Sequence, residues 1–225
     1  MGNLSEKEKI NSLNEVRILA SISHPHIISY KEAFVDEASS SLWIIMEYAD
    51  DGDLFMKIVK NQEEGVFFAE SYIFDVFIQV VKGLKALHDL NIMHRDLKSA
   101  NVFLYKDGTA KLGDLNVSKI IKAGLGYTQT GTPYYASPEV WKDQPYDIKS
   151  DIWSLGWVLY EMITLKPPFR AEDMHSLFKV VLKGIYPKIS NKFSQDLQKV
   201  VKSLIQVNPK KRPNWDGILN LDAIK

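Results

Sequence analysis

The stretch His94-Arg95-Asp96-Leu97-Lys98-Ser99-Ala100-Asn101 decides how this chain is read. It sets a carboxylate, an ammonium group and an amide within six residues of one another, between two segments whose periodicity is clear. Before it, Ser71 to His88 carries an apolar-rich helical pattern that closes at Asp89-Leu90-Asn91. After it, Val102 to Tyr105 and Ala110 to Leu112 flank the turn Lys106-Asp107-Gly108 and predict a small hairpin. Farther on, Asp151 to Leu165 (DIWSLGWVLYEMITL) is apolar nearly all round, the mark of a helix buried on every side, and Pro167-Pro168 ends it. That helix is the expected central post of the larger part of the molecule.

Upstream, Leu4 to Ile22 has a helical pattern, with Ser5 able to cap and Glu6 and Glu8 favouring the positive end. His24-Pro25-His26 breaks it. The β-like runs Ile27 to Phe34 and Ser41 to Tyr48, separated by Asp36-Glu37-Ala38-Ser39-Ser40, predict a hairpin. Asp50-Asp51-Gly52-Asp53 is the expected boundary between two lobes, because the chain becomes mainly helical after it.

Composition narrows the classes of function. Lys+Arg and Asp+Glu number 28 each, so no net basic field exists to hold nucleic acid. No cysteine is present, which excludes disulfides, thiolate zinc sites and a cysteine nucleophile. His24 and His26 flank a proline in a loop and His175 stands alone, so no zinc site is expected. No stretch reaches the roughly 18 apolar residues that span a bilayer, and the opening Met1-Gly2-Asn3-Leu4-Ser5-Glu6 lacks a signal-like apolar run. Glu6 stands where a myristoylation motif wants Ser or Thr, so an ordinary start is expected. The expected location is the cytoplasm, with the cytoskeleton or nucleus as further places. Oligomeric state is not legible.

His94 to Asn101 resembles the H-R-D-L-x-x-x-N catalytic loop of protein kinases at every fixed position. GTPYYASPE at 131–139, HRDLKSANVFL at 94–104 and MEYADDGDL at 46–54 resemble the NimA-related kinases, over essentially Leu4 to Ile224. The resemblance implies an α+β, two-lobed protein kinase fold across 1–225, with an incomplete N-lobe of helix plus hairpin at 1–49. A mainly α-helical C-lobe would fill 50–225. It implies transfer of the ATP γ-phosphoryl group to protein serine or threonine hydroxyls, with ATP, Mg2+ and protein substrates as partners. Such transfer spreads negative charge over the moving oxygens, so catalysis consists of metal, cation and positioning.

By the same resemblance Asp96 would accept the hydroxyl proton, Lys98 would neutralise phosphoryl charge, and Asn101 and Asp114 would hold magnesium. Thr132 would sit beside Asp96 and mark a serine/threonine acceptor site. Asp114 lies in Gly113-Asp114-Leu115-Asn116, where Asn116 replaces the family's glycine; asparagine is the next most tolerant residue at positive φ. Glu15 fits the helix glutamate that pairs with the ATP-gripping lysine. Leu19, one turn on, would pack toward Leu115 and His94. Met46 would guard the adenine pocket, Glu47 and Ala49 would offer hinge backbone, Asp53 would reach the ribose, and Phe103 would floor the adenine. Thr128, then Thr130, are the expected phosphorylation positions, with Arg95 as the cation that meets the added charge; an ordinary polar loop is the other reading. Glu139 with Arg212 is expected as a buried ion pair, and Asp151 is expected to bond the catalytic-loop backbone.

Only fourteen residues precede Glu15, and neither a G-x-G-x-x-G loop nor a V-A-I-K lysine is among them. Lys7 and Lys9 fall within the helix pattern itself. Two accounts stay open. Met1 is an internal methionine of a longer, active enzyme, or the short chain holds ATP poorly and serves as a scaffold or decoy. The intact catalytic loop favours the first.

Overall fold

A helix with no polar face can exist in water only if other elements cover every side of it, and Asp151 to Leu165 imposes that requirement on its neighbours. In the computed structural model, residues 16–36, 41–115, 134–145 and 147–221 are described. In chain order they form α1 (16–21), β1 (Tyr30–Asp36), β2 (Ser41–Met46), α2 (Leu54–Glu64) and α3 (Glu70–Asp89). β3 (Val102–Leu104), β4 (Ala110–Leu112), α4 (Pro138–Trp141) and α5 (Ile148–Thr164) follow, then α6 (Met174–Lys183), α7 (Gln195–Leu204) and α8 (Trp215–Leu219).

α5 is the buried post. Ser150 to Ile163 are buried without interruption. The helix starts three residues earlier than its apolar run, because Asp147 caps it by accepting the Lys149 amide. Leu165, at φ 57, ends it. α3 and α7 pack against it, and Gly156 lets α7 approach so closely that a Cβ there would stand 2.8 Å from Leu204 and Ile205 side-chain atoms. Trp153, Trp157 and Phe169 fill the space around its middle.

The pair Glu139 and Arg212 ties α4 to the far end of the chain. Arg212 Nη1 and Nη2 reach Glu139 Oε1 at 2.6 Å and Oε2 at 2.8 Å, and the guanidinium lies 5.1 Å from the Trp153 ring centre. Burial would push the Glu139 carboxyl up, but Arg212 outweighs it and holds the group below its usual value.

The two hairpins form two separate sheets, each antiparallel, β1 with β2 and β3 with β4. The first predicted strand is corrected at its start. β1 begins at Tyr30, whereas Ile27 and Ile28, both nearly inaccessible, leave the ribbon and run parallel to β4. The Ile28 amide donates to the Leu112 carbonyl at 2.8 Å, and the Leu112 amide donates to the His26 carbonyl at 2.9 Å. Core burial beside α3 outweighs continuation of the ribbon, whose Phe34, Val35 and Trp43 remain about half exposed.

Candidate active site

The loop between α3 and β3 is pinned from below by one carboxylate. Asp151, in the first turn of α5 and fully buried, accepts the His94 amide on Oδ2 at 2.9 Å and the Arg95 amide on Oδ1 at 3.0 Å. His88 Nε2, from the last turn of α3, donates to the same Oδ2 at 2.8 Å. These bonds hold Arg95 at φ 64, a left-handed conformation that costs a non-glycine residue about 1–2 kcal/mol. The turn presents Asp96 outward while Leu97 points into the core.

Lys98 and Asn101 each lie within hydrogen-bond reach of Asp96. Lys98 Nζ lies 2.9 Å from Asp96 Oδ2, and both side chains are about one-third exposed (33% and 32%), so the pair faces solvent on one side only. Asn101 Nδ2 donates to the Asp96 carbonyl at 2.8 Å and to its Oδ2 at 3.3 Å. With the amide nitrogen used in this way, the oxygen of Asn101 is the end left for a cation.

Asp114 is brought in by β4. The Gly113 amide donates to the Asn101 carbonyl at 3.0 Å, and Gly113 lies so close to Phe103 that a Cβ would stand 2.6 Å from its ring. Asp114 then takes φ 49 and exposes its carboxylate. Among the described residues no group of three or more His, Cys, Asp or Glu side chains could hold a metal. One carboxylate and one amide oxygen are a partial set of hard donors, which suits magnesium, an ion that keeps several waters and takes phosphate oxygens as its other ligands. His94 lies beneath, buried; burial pushes its imidazole down despite the carboxylates of Asp151, Asp96 and Asp114.

A second group forms beside β3. The segment before α2 is zipped to that strand: the Asp51 amide donates to the Leu104 carbonyl at 3.0 Å, and the Leu104 amide donates to the Gly52 carbonyl at 2.9 Å. Asp53 and Phe103 are thereby bridged backbone to backbone. Asp53 also caps α2, its Oδ1 accepting the Met56 amide at 2.9 Å, so only its other oxygen is left for a ligand. Glu47 turns its carboxylate away to Lys111 and the Ser29 amide. Burial alone would raise that carboxyl, but Lys111 brings it down to about 2. The Glu47 amide is taken by the Ser29 carbonyl at 2.8 Å, so its carbonyl is the group that can face a base. Met46 ends β2, and Ala49 is half-buried just beyond.

Glu15, Asn116, Thr128, Thr130 and Thr132 lie outside the described residues. Sequence reasoning missed a buried network behind the catalytic loop. Ser99 Oγ donates to Glu161 Oε2 at 3.1 Å, and Tyr135 Oη donates to the same oxygen at 2.7 Å. Burial raises the Glu161 carboxyl to about 7 although both hydroxyls favour its charged form. Burial and the neighbouring Glu161 also push the Tyr135 hydroxyl up. The available signal was a lone glutamate in the apolar second half of α5, since an unpaired acid in such a place must find donors.

The fold and this loop define a protein kinase. Residues 2–223 match the family described as "Protein kinase domain", and the chain belongs to it. Within that family the relatives it resembles are Nek kinases. "Serine/threonine-protein kinase Nek1" of Mus musculus is 44% identical over 96% of this chain and 18% of its own length. "Serine/threonine-protein kinase Nek5" of Mus musculus is 44% identical over 95% of this chain and 34% of its own. "Probable serine/threonine-protein kinase nek2" of Dictyostelium discoideum is 39% identical over 99% and 54%. The chain thus spans between about a fifth and about a half of the length of these relatives.

Proposed function

We propose that this chain carries the site that transfers the γ-phosphoryl group of ATP to serine or threonine hydroxyls of proteins. The observation that carries the reading is the Asp96 carboxylate, anchored through Lys98 and Asn101 on a backbone that Asp151 fixes. Both bonds go to Oδ2, which leaves Oδ1 as the oxygen to accept the hydroxyl proton as the hydroxyl oxygen bonds the γ-phosphorus and the bond from that phosphorus to the bridging oxygen breaks, releasing ADP. Lys98, beside it, places a positive charge where the moving phosphoryl group gathers negative charge. Magnesium held by Asn101 and Asp114 would supply the remaining charge neutralisation. The base of ATP would lie against Phe103, between the Glu47 carbonyl and the Ala49 amide behind Met46, with Asp53 reaching the ribose. Glu15 would orient the nucleotide-gripping lysine, Thr132 would support the acceptor hydroxyl, and Arg95 would pair with a phosphate on Thr128 or Thr130. The names of the relatives support the serine/threonine choice.

The test uses the longest reading frame that contains this sequence, purified and given labelled ATP, magnesium and a panel of serine, threonine and tyrosine peptides. Asp96→Asn is expected to lower labelling at least about 100-fold, the low end for loss of a positioned base. Equal labelling by parent and variant, or label on tyrosine alone, refutes the proposal.

A further inference from the structure

Away from the catalytic loop, two depressions of about 550 and 520 Å3 adjoin on the surface, meeting at Ile185, whose side chain is 75% exposed. Ile205, Val207 and Tyr186 line the first; Phe169, Ile163 and Phe193 line the second. Their charged lining is of one sign. Lys183, Lys202 and Lys211 border the first, and Lys166, Arg170 and Lys188 the second, and among the described residues no aspartate or glutamate lines either. All six are exposed. Among the described residues none of the six lies within 4.0 Å of a carboxylate oxygen in an ion pair. In a chain with equal numbers of acids and bases, six charges of one sign around two adjoining depressions that share Ile185 form a local field that composition does not supply.

We infer that this double groove docks an acidic peptide segment of a protein partner, one that carries an apolar or aromatic side chain for each depression. The cations complement the carboxylates, and the concave floors take the anchors, as a peptide's alternating side chains allow. Single-stranded nucleic acid needs exposed ring faces on which bases stack. Here the rings of Phe169, Tyr186 and Tyr160 are occupied edge to face by one another, at 5.3 to 6.1 Å between centres, and Phe67, the exposed ring of the lining, already has Phe193 edge to face at 6.3 Å and Lys192 Nζ over it at 5.4 Å. A membrane surface takes a broad apolar face along an amphipathic helix, and of the large apolar side chains lining these depressions only Phe67 and Ile185 are exposed. The inference uses no residue of the catalytic loop and stands or falls apart from phosphoryl transfer.

The test is fluorescence anisotropy with the intact chain and a labelled Glu/Asp-rich peptide bearing two phenylalanines. Binding is expected at about 50 mM salt and should weaken several-fold by about 300 mM, where screening shortens the reach of the charges. Lys183→Gln/Lys202→Gln/Lys211→Gln is expected to weaken it at least about tenfold, and Ile185→Ser several-fold, with thermal midpoints lowered by no more than a few degrees, since all four side chains are exposed and only the cations at the C-terminal turns of α6 and α7 are lost. On the peptide side, Glu/Asp→Gln/Asn and Phe→Ser should each abolish binding, which keeps the test decisive even if a protein variant folds poorly. Peptide affinity indifferent to these changes overturns the inference. So does tighter, lysine-dependent binding of a single-stranded RNA or of phosphatidylserine vesicles.

Discussion

Glu161→Gln removes a proton-binding group from the buried post while keeping its shape and one acceptor oxygen for Ser99 and Tyr135. In the folded protein, burial lifts this carboxyl from its ordinary 4.5 to about 7. Between those values the folded state still holds a proton that the unfolded chain has released, so stability falls as pH rises through that window and levels off above it. At about 1.4 kcal/mol per pH unit, the loss comes to about 3 kcal/mol by neutral pH. Glutamine escapes that loss, but its NH2 is a buried donor in a site built from hydroxyl donors, a cost of about 1–2 kcal/mol. The net expectation is a gain of about 1–2 kcal/mol at pH 8, or about 2–8 °C in thermal midpoint for a chain of this size, and no gain near pH 5. Thermal midpoints of parent and variant from pH 5 to 8, followed by near-ultraviolet circular dichroism, give the difference curve directly. Groups such as His24 and His26 are common to both proteins and cancel. Curves that run parallel across the whole range would show that Glu161 is ionised throughout in the folded protein and refute the reasoning.

Two further changes test the frame. Arg212→Ala strands the Glu139 carboxylate and is expected to cost about 3–5 kcal/mol. Arg212→Met with Glu139→Leu should recover most of that loss in urea denaturation. Gly83→Ala gains intrinsic helix propensity of up to about 1 kcal/mol, yet its Cβ would stand 2.4 Å from the His26 carbonyl oxygen. That contact is with backbone, so the segment lying along β4 must move, and a net loss of about 1–2 kcal/mol is expected. A thermal midpoint at or above the parent's would contradict the packing described here.

Elements whose signal is local were legible in the sequence. α3 and α5 came within a few residues of their observed ends, because an apolar run has to be covered wherever it lies. The β3–β4 hairpin followed from its turn, where Gly108 takes φ 88. What failed was competition between distant partners. Ile27 to Ser29 continues the strand pattern of β1, and nothing local says that residues 26–28 will prefer β4. Glu161 reads as one acid on an apolar helix until Ser99 and Tyr135, far from it in the chain, are seen to converge on it. The catalytic loop was legible as a motif, and the carboxylate of Asp151 was expected beneath it. The second anchor was not, because hydroxyl partners leave no pattern in a sequence.

Those two anchors explain why a polar loop can hold a reacting carboxylate steadily. Asp151 and Glu161 are ten residues apart on one helix, about 15 Å along its axis. The first grips the start of the loop at the His94 and Arg95 amides, and the second grips its end at the Ser99 hydroxyl. Asp96 lies between these points, and Asn101 closes the span by donating to the Asp96 carbonyl. The stiffness of the site is therefore the stiffness of α5, which comes from close-packed burial on every side rather than from contacts around the carboxylate itself. A helix that moved by even an ångström would carry the proton acceptor away from the hydroxyl it serves, and the pair of buried acids is what converts core packing into that positional accuracy.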